Sequence, residues 1–315
     1  MTSELDATAY RDFSVLFGPI LRDHLVRKEM PASAAERLAA DSINIALGKL
    51  QDELPEPEAL TGWTLAIADR CHRAWQLQQD LEDAAVAQQA LMPSARPVVP
   101  GLEVYFTHRP VRIVTGDFCE VRTFSDGRTA ISLGDARGKG APAALYSALA
   151  HSWLRAFSTP DLCPVQLLTR LDTALKELRS SSRYLTLLHS VWHPRTLTFS
   201  MCSGGAPAPV LLRAGQLSWI PVPGPYIGWP LPAAFESVEL PVCSGDLLVF
   251  YSDGIPDQTN AGDETYGDER LACAVAGLGH LAPEDAGQSI LADNDDFRGG
   301  KDQFDDQMLL VVRVK

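Results

Sequence analysis

The sequence has no long apolar run, no excess of basic residues and no paired cysteine motif, and each lack excludes a class of function. Nowhere in its 315 residues does a stretch approach the ~18–20 apolar residues that a membrane span needs. The opening MTSELDATAYRDF has neither a basic n-region nor an apolar core, so no signal peptide is expected and a cytoplasmic location is. Lys and Arg total 27 against 40 Asp and Glu, a net charge of −13, which argues against a nucleic-acid-binding face. The six cysteines (71, 119, 163, 202, 243, 273) include no C-x-x-C pair and read as buried, reduced thiols. With no zinc signature, any metal here is expected on oxygen ligands.

What is present divides into two regions of different period. Residues 1–92 read as helical. DFSVLFGPILRDHL has helical apolar spacing, and SAAERLAADSINIALGKLQDEL opens on Ser33 and Glu36, the spacing of a capping box. Two prolines in DELPEPEAL break the chain, and a third helix is expected from Glu58 to Leu91. Ala74, Leu77, Leu81, Ala84, Gln88 and Leu91 alternate three and four apart on it. That stripe reads either as a dimerising seam, giving a homodimer, or as a helix packed on its own domain. Pro93, Pro97 and Pro100 close the region. Beyond them the period becomes two. LEVYFTH, RTAISLGD, YLTLLHSVWH, TLTFSMC, PVLLRAG, QLSWIPV, DLLVFYSD and QMLLVVRV are expected strands, with helices at 141–157, 164–179 and, more weakly, 267–291. The fold class expected is α+β, a central β-sandwich flanked by helices and preceded by an all-α module. The boundaries are 1–80 for the helical module, 81–100 for a linker helix and Pro-rich junction, and 101–315 for the second domain.

The stretch GDARGKG, at 134–140, invites a nucleotide-loop reading and fails it. A Walker loop needs G-x-x-x-x-G-K-[ST]; here Gly134 to Gly138 is one residue short, and Lys139 is followed by Gly140. What remains is an apolar strand that delivers Asp135 to a glycine-rich turn. The design recurs: IVTGDF carries Asp117, LLVFYSDG carries Asp253, and FDDQMLLVV places Asp305 and Asp306 before an apolar run. Each alone reads as an ordinary turn. Together, converging carboxylates need a counter-charge, and carboxylate and carbonyl oxygens suit Mg²⁺ or Mn²⁺. Two such ions are the usual device for hydrolysing phosphate esters.

In order and spacing these segments resemble the metal-dependent serine/threonine protein phosphatases (PPM), in their SpoIIE/RsbU-type bacterial branch, over about residues 86–315. QQALMP and PGLEVYFTHRPVRIVTGDF resemble the family's entry segment and first motif. GDARGKGAPAALYSA resembles G-D-V-S-G-K-G-x-P-A-A, and GDLLVFYSDGIPDQTN and FDDQMLLVVRV resemble the later aspartate motifs. The resemblance implies a protein-serine/threonine phosphatase, a phosphoric monoester hydrolase of bacterial signalling, using two divalent cations, Mn²⁺ or Mg²⁺. Asp117, Asp135, Asp253 and Asp305 would be the metal and catalytic residues, with the Ala136 carbonyl as a further metal ligand. Water activated by the two metals would attack phosphorus, so no protein nucleophile is needed. The implied partners are a phosphoprotein substrate, such as an anti-sigma-factor antagonist in a partner-switching pathway, and a regulatory protein bound by the N-terminal helices.

The departures from the pattern define a second reading. Thr115, Cys119 and Glu120 replace the usual Gly, Tyr and Asp around Asp117, with Glu120 a candidate outer carboxylate. Arg137 stands where serine is common, as a phosphate contact or a surface side chain. Ser203 and Ala206 occupy the places of an Asn and a His. That loss fits a pseudophosphatase that sequesters its partner without hydrolysis; the four retained aspartates favour an enzyme.

Overall fold

In the computed structural model, residues 2–50, 55–178 and 183–315 are described, with side chains from residue 11 onward. They form two compact units, residues 1–83 and 84–315.

The first unit contains α1 (Thr2–Val26), α2 (Ala32–Leu50) and most of α3 (Leu60–Gln89). Phe13, Phe17, Leu21 and Leu25 fall every four residues on α1 and share one core with Ala35, Ala39, Ile43 and Ala46 of α2 and Ile67 and Ala68 of α3. Asp69 on α3 ties α1 down, 2.6 Å from His24 Nε2 and 3.1 Å from Lys28 Nζ. The expected capping box is displaced. Helix α2 starts at Ala32, so Ser33 lies inside its first turn. The Pro31 carbonyl instead accepts the amides of Ala34 and Ala35 at 2.9 Å, because the fixed φ of proline already sets the chain into the turn. The expected ends of the second helix at 51–54 and of the 164–179 helix at 179 lie outside the described residues.

The second unit is two five-stranded antiparallel sheets between helices. One runs β1 (Leu102–Arg109), β10 (Gln307–Val314), β9 (Leu247–Tyr251), β6 (Val210–Arg213), β7 (Gln216–Trp219). The other runs β2 (Asp117–Thr123), β3 (Thr129–Ala136), β4 (Leu185–His193), β5 (Thr198–Ser203), β8 (Ser237–Pro241). The period of two explains the layers. On β10, Met308, Leu310, Val312 and Val314 face the core between the sheets, whereas Leu309 and Val311 join a second core with α6 (Gly267–Ala276) and α7 (Pro283–Arg298). On β4, Leu188 and Trp192 face the inter-sheet core and Leu185 and Leu187 face α4 (Ala141–Phe157) and α5 (Pro164–Glu177). Trp192, Phe199 and Phe250 fill the middle, with ring centroids 4.8 and 6.3 Å apart.

This is the expected sandwich, with differences in detail. Strands β2 and β8 were not among the expected runs, and Asp117 begins β2 rather than ending a strand. The cysteines are all free, yet Cys163, Cys243 and Cys273 are exposed, against the expectation of burial. Among the described residues no helix is long and apolar enough to cross a membrane.

Candidate metal centre

The two sheets bring the four predicted carboxylates to one place. Asp117 and Asp135 are register partners on β2 and β3, directly opposite across the ladder. Asp253 follows β9 by two residues, and Asp305 precedes β10 by two. These neighbouring antiparallel strands bring that pair to the same sheet end. Gly254 makes the meeting close: a Cβ there would lie 2.0 Å from the Asp306 carbonyl oxygen and 3.2 Å from the Asp305 carbonyl carbon. Gly116 does the same on the facing sheet. A Cβ there would meet the Ala136 carbonyl oxygen at 2.8 Å and Asp135 Oδ1 at 3.2 Å, so these two oxygens lie together against bare backbone.

The electrostatics around Asp117, Asp135 and Asp253 are those of crowded anions. Burial, then the charges of Asp135 and Asp306, holds the Asp117 carboxyl well above the usual carboxylate range. Burial and the Asp253 charge push Asp135 up to about 7. Asp253 is raised by burial and by Asp257 and Asp305. Asp117 Oδ2 is buried with no hydrogen-bond partner among the described residues. An oxygen in that position ordinarily costs about 1–3 kcal/mol unless something satisfies it.

Two members of the cluster have partners already. Asp305 Oδ2 is 2.8 Å from Lys139 Nζ, and Lys139 also donates to the Phe304 carbonyl at 2.9 Å. The lysine of GDARGKG therefore grips an aspartate. Asp306 accepts the Val111 amide at 2.7 Å and the Thr115 hydroxyl at 2.5 Å, and Thr115 Oγ1 also accepts the Asp117 amide at 3.0 Å. Among the described residues, no three His, Cys, Asp or Glu side chains are arranged to hold one ion between them. The donor set still fits a hard divalent cation. Mg²⁺ in particular keeps several waters and takes only one or two carboxylates directly, and an unpartnered buried oxygen beside two raised carboxyls is where such a charge belongs.

The departures are placed as well. Glu120 does not serve the cluster: on β2 it points to the opposite face from Asp117, where its Oε2 is 2.7 Å from His151 Nε2 on α4. Ser203 Oγ accepts the Ala206 amide at 3.1 Å, closing its own turn. Sequence reasoning missed Asp257, which adds charge to Asp253, and the bracing roles of Thr115 and Gln88. For Asp257 the signal was its place four residues after Asp253 in the same motif.

Comparison with known proteins agrees with this geometry. Residues 125–315 match the family described as Stage II sporulation protein E (SpoIIE). Protein IcfG of Synechocystis sp. is 26% identical over 220 residues, 61% of this chain and 35% of that protein. Phosphoserine phosphatase RsbU of Bacillus subtilis is 20% identical over 184 residues, 58% of this chain and 55% of that protein. The chain thus matches only about a third to a half of these relatives' lengths. The SiaA-PP2C domain of Pseudomonas aeruginosa superposes with a TM-score of 0.69 at 18% identity, covering 77% of this chain and 99% of that one. The sandwich is therefore a PP2C-type phosphatase fold, and the chain belongs to the SpoIIE family.

Proposed function

We propose that the chain is a metal-dependent protein serine/threonine phosphatase that hydrolyses a phosphoprotein in a signalling pathway. The observation that carries the reading is the convergence of Asp117, Asp135, Asp253 and Asp305 at one end of both sheets, with a buried Asp117 oxygen unpartnered among the described residues. Those four side chains and the Ala136 carbonyl would hold two divalent cations, Mn²⁺ or Mg²⁺. Bound there, the cations supply the charge that activates water and steadies the phosphoryl group. The chain's own part is positioning. Gly116 and Gly254 let the ligand-bearing strands approach, Lys139 fixes Asp305, and Thr115 fixes Asp306 and the backbone at Asp117. The name of the RsbU relative, a phosphoserine phosphatase, supports the same substrate class.

The regulatory part of the reading assigns the N-terminal helices to a partner protein, or to a second copy through the Ala74–Leu91 stripe, on which Leu77 is 60% exposed. Its support is at the end of α3. Gln88 Nε2 donates to the Thr115 carbonyl at 2.9 Å and Gln88 Oε1 accepts the Thr115 amide at 3.1 Å, so any movement of this turn of helix reaches the residue that braces the carboxylates. An anti-sigma-factor antagonist in a partner-switching pathway is the substrate this reading favours. The enzymatic reading is tested by release of inorganic phosphate from a phosphoserine peptide. Release that requires Mn²⁺ or Mg²⁺ is expected, and release unaffected by chelation would contradict it.

A further inference from the structure

Beside the acidic cluster the surface changes character. The turn that follows Asp135 is ringed by guanidinium groups. A Cβ on Gly138 would meet Arg183 Nη1 at 3.7 Å, and one on Gly140 would meet Arg112 Nη1 at 3.4 Å. Arg137, within the turn, lies over the Tyr184 ring at 5.1 Å, and its amide donates to the Tyr184 carbonyl at 3.0 Å. Among the described residues none of these three arginines has a carboxylate within ion-pair distance, in a chain whose net charge is −13.

Tyr184 continues the surface into an aromatic group. Tyr226 stacks on it at 4.7 Å and Trp229 meets it edge-on at 4.9 Å. Tyr226 is 45% exposed, Trp229 36% and the neighbouring Leu231 64%. The loop that carries them is pinned. Leu185 and Ile227 exchange two backbone hydrogen bonds of 3.0 Å, the Gly228 amide donates to Asp172 at 2.8 Å, and Lys176 donates to the Leu231 carbonyl at 2.8 Å. Rigid exposed aromatics beside arginines are the composition of a binding hot spot, because little side-chain entropy is lost on contact.

We propose that Arg137, Tyr226 and Trp229, flanked by Arg112 and Arg183, dock the chain segment next to the phosphorylated residue of the substrate, and that this segment is acidic with a large apolar side chain. Charge complementarity selects the occupant. A second cavity, of about 330 Å³, is lined by Trp219, Tyr251, Asp257 and Asp268. Its carboxylates repel an acidic segment, which leaves the arginine-ringed turn to receive it. Arg137, which departs from the family's usual serine, then becomes a specificity residue.

This inference rests on the phosphatase reading but is tested by binding alone, so the two can fail separately. Three fluorescein-labelled phosphoserine peptides are titrated with the full chain in chelator and followed by anisotropy: one with Glu and Leu flanking the phosphoserine, one with Lys and Leu, one with Glu and Ala. The Glu/Leu peptide is expected to bind about tenfold tighter than either of the others. Arg137→Glu is expected to invert the Glu-against-Lys preference, and a Tyr226→Ala, Trp229→Ala double variant to abolish the Leu-against-Ala difference. Because each variant is judged by its own ranking of peptides, partial loss of fold does not imitate the result. Equal binding of the three peptides by the wild type, or a ranking unchanged in Arg137→Glu, overturns the proposal. Absence of Mn²⁺-dependent hydrolysis would overturn the phosphatase reading instead.

Discussion

Asp117 and Asp135 stand directly opposite each other on β2 and β3, two carboxylates in a position where like charges destabilise a sheet. Both carboxyls are held above their usual range by burial and by neighbouring acids, Asp135 up to about 7. A group whose folded pKa exceeds its unfolded value binds more protons when folded, so the chelated protein is expected to gain stability as pH falls from about 7 toward 4. His189 opposes this. Burial lowers it to about 4, so protonation of the unfolded chain below about 6.5 costs stability over much of the same window. Comparing melting temperature against pH for wild type and Asp135→Asn isolates the carboxylate part. The wild type is expected to gain more on acidification, and added Mn²⁺ is expected to shrink that gain.

Gln88→Ala removes both side-chain hydrogen bonds to the Thr115 backbone. Outer partners of metal ligands typically change metal affinity or activity about 10–100-fold, and a loss near the lower figure is expected. The check is a Mn²⁺ titration of activity. Thr115→Val, which loses the hydroxyl that meets Asp306 and the Asp117 amide, is expected to shift the same curve in the same direction.

Gly254→Ala forces a methyl against the Asp305–Asp306 backbone, where only 2.0 Å is available to the carbonyl oxygen. Overpacking of this kind costs about 1–3 kcal/mol, visible as an earlier urea midpoint. Because the strain falls between the turns that carry Asp253 and Asp305, cation-induced stabilisation is expected to drop as well.

Glu120 and His151 form a buried pair on the face of β2 away from the cluster. Removing the His151 ring takes a hydrogen bond from the buried Glu120, leaving it Arg155 at 3.8 Å, and a lost partner of this kind costs about 1–3 kcal/mol. His151→Leu is therefore expected to lower the melting temperature while leaving the Mn²⁺ concentration for half-activation near its wild-type value. A large change in that concentration would put Glu120 back among the outer carboxylates.

The parts of this molecule that were legible in the sequence are those in which one pattern dominates. QMLLVVRV became β10 residue for residue, because alternate side chains enter two cores. Strand β2 was illegible because DFCEVRT buries its first four residues, Asp117 and Glu120 among them, on both faces and shows no alternation. Strand β8 is short and mostly exposed at a sheet edge. The four aspartates were legible because each ends or begins an apolar run beside glycine or a second aspartate. The contacts that hold them were not: Gln88 and Thr115 are 27 residues apart, and nothing local marks an amide that will clasp a distant backbone. Glu120 misled because its place in the motif suggested the cluster, whereas the strand period turns it toward α4.

If the carboxylate cluster holds the cations of a phosphatase, hydrolysis needs both the cations and the aspartates. The most direct measurement is hydrolysis of p-nitrophenyl phosphate by the full chain with added Mn²⁺ or Mg²⁺, compared with Asp135→Asn and Asp253→Asn. The expected result is cation-dependent turnover in the wild type and its loss in both variants. Turnover that survives in either variant, or that persists in chelator, would mean that the cluster does not hold the cations hydrolysis needs.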